Sequence, residues 1–131
     1  MIYLDSAALV KLVRLEQATP ELVEWLNARP GVPLVTSVLA EVEVPRAIRR
    51  VAPEALAAVP ATLARLYRLE IDAAVRSSAS ALAEPSLHTL DAIHIATAVG
   101  IGAELQAFVS YDQRLLQTAG ELGLPVVSPG A

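Results

Sequence analysis

Four short, mostly apolar runs, residues 2–4, 34–36, 107–111 and 125–128, and a candidate small strand at 68–71 are separated by stretches with helical spacing. This alternation constrains the fold more than any other feature. Runs this short suit buried strands, and strands that alternate with helices give a mostly parallel sheet covered on both faces. The expected fold is therefore α/β, a three-layer arrangement of a small sheet flanked by helices. At 131 residues the chain has room for a single domain, 1–131.

Punctuation residues set the expected boundaries. The helix after the first run spans 7–13. Thr19 reads as an N-cap with Pro20 as the first helical residue, and Pro30-Gly31 stops that helix. Ser37 is expected to cap a helix reaching Val51, kinked at Pro45. Pro53 opens another helix, which Pro60 divides. Asp72 caps a helix from 73 to about 84, ended by Pro85. Thr89 caps 90–100, with Gly100 and Gly102 as stops, and a helix from Gln113 to Leu122 closes at Gly123.

Composition excludes several classes. Hydrophobic residues make up 54% of the chain and charged residues 18%, so it is not a disordered sequence. No run reaches the roughly 18 apolar residues of a membrane helix. Asp5 interrupts the N-terminal run, unlike a signal peptide, so the expected location is the cytoplasm. With no cysteine, disulfides and thiolate metal sites are excluded. The net charge of −4 argues against a nucleic-acid partner unless acids are gathered on metal ions, which invert the local charge.

The positions of the acids are informative. In open α/β sheets, ligands bind beyond the carboxyl ends of the strands. Asp5 ends the first run and Asp112 follows the 107–111 run. Asp91 lies in the first turn of a helix, and Glu43 lies on the helix after the second run. Singly, each reads as a turn, dipole or solvated residue. Gathered together they would repel, and hard divalent cations relieve such repulsion with oxygen ligands.

Four stretches sharpen this reading: YLDSAALVKL, TSVLAEVEVPRAIRR, LDAIHIATA and AFVSYDQRLLQTAGELGLPVVSP. In order and spacing they resemble the PIN-domain ribonucleases, in particular the VapC-type toxins of bacterial toxin–antitoxin pairs. Residues 52–87 carry no match. The resemblance implies a PIN-like fold and a Mg2+-dependent endoribonuclease, with Mn2+ as an alternative ion. It implies metal-binding, catalytic acids at Asp5, Glu43, Asp91 and Asp112. It also implies an RNA substrate, a VapB-type antitoxin and a homodimer.

Other residues have competing readings. Glu41 and Glu43 are two apart on one helix and point to nearly opposite sides; Glu43 keeps the family spacing to Arg46 and Ala47. Ser6 and Ser110 are expected to orient the carboxylates. His94 reads first as a buried histidine anchoring its helix, with ligand or proton shuttle as the alternative. His88 reads as a surface residue or an RNA-facing one. Arg46, Arg49 and Arg50 form a solvated face, antitoxin contacts or phosphate contacts. Trp25 and Leu22 read as core or dimer surface. Ala7, Ser6 and Pro45 depart from the family pattern without removing an acid.

Two other acidic α/β enzymes fit poorly. A haloacid-dehalogenase-type phosphatase needs a second Asp at position 7, which is Ala. A receiver domain needs a late lysine, and the only lysine is Lys11. The non-enzymatic alternative is a PIN-like binding or dimerisation module. Loss of any of the four acids is expected to abolish cleavage and to leave metal-free stability unchanged or higher.

Overall fold

The computed structural model describes residues 1–131. Strands β1 (Ile2–Leu4), β2 (Leu34–Ser37), β3 (Tyr67–Leu69), β4 (Ala107–Val109) and β5 (Val126–Val127) form one sheet in the order β3-β2-β1-β4-β5. Every pairing is parallel, so the sheet is wholly rather than mostly parallel. The helices are α1 (Ser6–Val13), α2 (Thr19–Asn27), α3 (Ala40–Val51), α4 (Val59–Leu63), α5 (Ala73–Ser80), α6 (Thr89–Ile101) and α7 (Gln113–Glu121).

Side-chain alternation along the central strands divides the core in two. Ile2 and Leu4 of β1 join Ala107 and Val109 of β4 under α1 to α4. Tyr3 and Phe108, between them in sequence, face the opposite way and pack with Ile95 and Ala98 of α6 and Leu115 and Ala119 of α7. The Tyr3 and Phe108 rings stack, with centroids 5.4 Å apart and planes 4° off parallel. Helices on both faces leave the strands nearly continuous in apolar character, as a fully covered parallel sheet requires.

The chain begins at the middle of the sheet. It runs outward through β2 and β3, then returns to add β4 and β5 on the other side of β1. The order therefore reverses between β1 and β4, where the connections leaving the two strands turn to opposite faces of the sheet, the place where open α/β sheets form a ligand crevice. Asp5 follows one of these strands and Asp112 the other.

Several boundaries differ from the sequence expectation. Thr19 is the first residue of α2, not its cap: its hydroxyl accepts from the Glu16 amide and donates to the Lys11 carbonyl, tying the preceding loop to α1. Ser37 still belongs to β2, and α3 starts only at Ala40; the Ser37 hydroxyl accepts from the Leu39 amide in the turn between them. His88, not Thr89, stands at the N-cap of α6, and no side chain caps that end. As expected, Pro45 lies inside α3, which runs on to Val51. Residues 53–63 form a 3-10 helix, Pro53–Ala58, followed by α4, with Pro60 in the first turn of α4. Helix α5 stops at Ser80, well short of Pro85. Gly100 lies inside α6, whereas Gly102 ends it with φ +70°, a conformation that favours glycine. Strand β4 ends at Val109, leaving Ser110 and Tyr111 in the connection to Asp112.

Candidate active site at the carboxyl end of the sheet

Asp5 has two structural tasks. It leaves β1 in an extended conformation and caps α1, where Oδ1 accepts from the Ala8 amide at 2.9 Å. Its other oxygen accepts from the Ser110 hydroxyl of the β4 connection. The residue is 3% exposed. Burial raises its pKa most; the bonds from Ser110 and Ala8 and the nearby His94 oppose this, and the Glu43 charge adds to the rise. Asp112 repeats the arrangement on the neighbouring strand. It caps α7, with Oδ1 accepting from the Arg114 and Leu115 amides at 2.9 and 3.2 Å.

Asp91 lies in the first turn of α6, where the helix dipole favours a negative charge. No protein hydrogen bond holds its carboxylate. Burial raises its pKa first and the Asp112 charge next; Glu43 adds to the rise, while His94 and His88 oppose it. Asp91 thus senses acids from two other elements. The sheet and its helices bring all four predicted residues to one end of the molecule.

Glu43 points inward from α3 and Glu41 points outward. Glu43 Oε1 accepts from the Ser6 hydroxyl at 2.6 Å and from His94 Nε2 at 2.7 Å. Burial pushes its pKa up, but these two bonds and the His94 charge outweigh it and hold the carboxyl below its ordinary range. Ser6 therefore serves Glu43, not its sequence neighbour Asp5. Glu41 instead meets Arg68 at 3.2 Å on the surface. Such an exposed pair contributes less than about 1 kcal/mol. Glu41→Gln should therefore shift the melting temperature by no more than about 3 °C and leave RNA cleavage at the native rate, as a fluorogenic cleavage assay can read.

The donor set suits a hard divalent cation in charge and chemistry. Its members offer oxygen only, and the Lys and Arg ion pairs of the chain are made by Glu16 and Glu41, not by these acids. The acids are not, however, drawn into a closed ligand set of three or more. Asp5 and Asp112 are engaged in capping their helices, and Asp91 carries its charge unbonded.

His94 is buried, as the anchoring reading expects, and is bonded on both ring nitrogens. His88 is exposed. Leu22 is core, whereas Trp25 is partly buried with the Arg29 guanidinium over its ring. Arg46 and Arg50 line a groove of about 500 Å³ between α1 and α3 that reaches Ser6 and Glu43; Arg49 does not line it. Sequence reasoning missed Tyr3, whose hydroxyl bonds His94 from β1 at 2.6 Å. Strand alternation carried the signal, since it turns Tyr3 toward α6 and away from the neighbours of Ile2 and Leu4.

Known proteins share this chain's fold and much of its sequence. The PIN domain family matches residues 2–121. Ribonuclease VapC35 of Mycobacterium tuberculosis is 54% identical over 132 residues, covering 99% of this chain and 98% of the relative. The chain belongs to the VapC family of PIN-domain ribonucleases. A second VapC relative, Ribonuclease VapC46 of the same species, is 41% identical over 128 residues, covering 98% of this chain and 97% of that one. The crystal structure of Mycobacterium tuberculosis VapC20, a sarcin-ricin loop cleaving toxin, superposes with a TM-score of 0.77 over 98% of this chain and 100% of that one. At 18% identity that likeness concerns the fold alone. A VapC ribonuclease acts on RNA.

Proposed function

We propose that the chain is the toxin of a VapBC-type pair and hydrolyses RNA phosphodiester bonds at Asp5, Glu43, Asp91 and Asp112 with Mg2+. Mn2+ suits the same oxygen donors. The observation that carries this reading is that the four acids share one end of the molecule, where Asp91 feels the charges of Asp112 and Glu43 and Asp5 feels that of Glu43, without a Lys or Arg counter-charge. When bound, the cation supplies positive charge for the scissile phosphate and acidifies an attacking water.

The residues divide the work. Asp91 offers a charge that burial and the neighbouring acids make costly to keep unpaired, and Asp112 is fixed by capping α7. Asp5 is fixed from two sides, by Ser110 and by the α1 amide. Glu43 is kept ionised by Ser6 and His94. Arg46 and Arg50 lie along the groove leading from Glu43, where RNA phosphates would meet them.

The partners follow from the same reading. A cognate antitoxin would silence the site by covering it, offering an Arg to the carboxylates in place of metal. The exposed apolar residues Val42 and Val51 on α3 favour a two-fold dimer. Light scattering at micromolar concentration should then give twice the 13.8 kDa chain mass; a monomer would contradict the dimer and leave the nuclease untouched. No helix is long and apolar enough to cross a membrane, in keeping with action on cytoplasmic RNA.

Sequencing RNA 5′ ends from cells expressing the protein tests the function. Discrete new ends are expected, absent when Asp91→Asn is expressed at the same level. An identical set of ends in both would refute the assignment of the site.

A further inference from the structure

A chain of hydrogen bonds crosses the sheet–helix boundary to end on Glu43. It starts at Tyr3 on β1, whose hydroxyl lies 2.6 Å from His94 Nδ1. It continues from His94 Nε2 to Glu43 Oε1 at 2.7 Å. Ser6, the first residue of α1, reaches the same Glu43 oxygen at 2.6 Å and lies 3.2 Å from His94 Nε2. Both donors fall on Oε1, which leaves Oε2 without a protein partner.

The proton positions follow from the inventory of donors. A carboxylate only accepts, so Nε2 carries hydrogen. In a neutral ring Nδ1 accepts from the Tyr3 hydroxyl and in a protonated ring Nδ1 donates to the Tyr3 oxygen, while the Nε2–H bond to Glu43 is the same in both. Tyr3 and His94 are each at most 2% exposed, so the bond between them is shielded from bulk water. The Tyr3 ring is in turn held by its stack on Phe108 and by an edge contact with His94, with centroids 5.8 Å apart.

We propose that Tyr3 and His94 are positioning residues which, together with Ser6, lock Glu43 Oε1 and present Oε2 to the divalent cation. On this view the LDAIHIATA stretch has two tasks one helical turn apart: Asp91 supplies a carboxylate directly, and His94 aims the carboxylate of another helix. A carboxylate clamped on one oxygen has lost most of its rotational freedom before an ion arrives, so less ordering remains to oppose binding. The inference rests on the metal-dependent reading of the site.

The test uses the full chain and three substitutions. His94→Leu removes the donor, His94→Gln restores an N–H at similar reach, and Tyr3→Phe removes one hydroxyl while keeping the stacked ring. Each is titrated with Mn2+ alone, followed by electron paramagnetic resonance, and assayed separately for RNA cleavage with Mg2+. Loss of a partner that orients a ligand costs about 10–100-fold in metal affinity or activity. His94→Leu should lose that much in Mn2+ affinity and in kcat, with KM for RNA unchanged. His94→Gln should regain most of it, and Tyr3→Phe should fall between. Native Mn2+ affinity and kcat in His94→Leu would overturn the proposal, as would equal losses in the Leu and Gln variants. If His94→Leu does not fold, Tyr3→Phe decides: weakened Mn2+ binding supports the clamp and native binding overturns it. A wild-type protein that binds Mn2+ but cuts no RNA would refute the nuclease reading, and the titration would still judge the clamp.

Discussion

Asp5→Asn, Asp91→Asn, Asp112→Asn and Glu43→Gln should each reduce RNA cleavage by more than about 100-fold, since even residues that only orient ligands cost 10–100-fold. The four come from the ends of β1 and β4, from the first turn of α6 and from α3. Each substitution keeps the size of the side chain, and Asn remains a good N-cap for α1 and α7. A loss of activity therefore reports on charge and ligation, not on a collapsed helix end. Single-turnover cleavage at saturating Mg2+ measures it. Native rates in all four would mean that the acids serve only the fold.

Stability should separate two of these acids in opposite directions. Asp91 has a raised pKa, because burial and the Asp112 charge oppose its ionisation. The folded protein therefore binds this proton more tightly than the unfolded chain does. Its contribution is fully present at low pH and is lost as pH rises through the window above the ordinary carboxylate value. In metal-free protein at neutral pH, Asp91→Asn should melt higher by on the order of 3 °C. The gap should close toward about pH 4, where the carboxyl regains its proton. Glu43 has the reverse sign. Its pKa is lowered by the bonds from His94 and Ser6, which outweigh burial. Its contribution is present above the ordinary glutamate value and is lost as pH falls through the folded one. Glu43→Gln should thus melt lower at neutral pH. This departs from the sequence-based expectation that removing any of the four acids leaves metal-free stability unchanged or higher. Calorimetry of both variants across this pH range, in chelator, would show the opposed slopes; parallel behaviour would contradict the electrostatic assignment.

The layered fold was legible because alternation and punctuation are local. Ile2, Tyr3 and Leu4 alternate between two cores, and Asp72 and Asp112 cap their helices as their positions suggest. Helix starts marked by Ser or Thr were less legible. Thr19 and Ser37 can satisfy a hydroxyl in several ways, and the turns before α2 and α3 use them instead of the helix ends. Pro45 lies inside α3, as its sequence position suggests, with Val44 and Ile48 beside it in the core.

For the site, helix geometry allows only one of Glu41 and Glu43 to face inward, because two residues along a helix nearly reverse the direction of a side chain, and the resemblance to the family's spacing to Arg46 and Ala47 chose Glu43. The partners of Glu43 were less accessible. Ser6 is adjacent to Asp5 in sequence, yet the first turn of α1 directs its hydroxyl across to α3. Tyr3 reaches the site only through His94, a connection between β1 and α6 that depends on how the helix lies on the sheet.

The most direct test of the central claim is cleavage of a defined RNA by purified protein, with Mg2+ and with excess chelator. The acids at the β1/β4 crevice predict rapid cleavage with Mg2+, none with chelator, and recovery when Mg2+ is restored. Equal cleavage in chelator would contradict the claim, because carboxylates without a cation would repel the phosphate they are meant to hold.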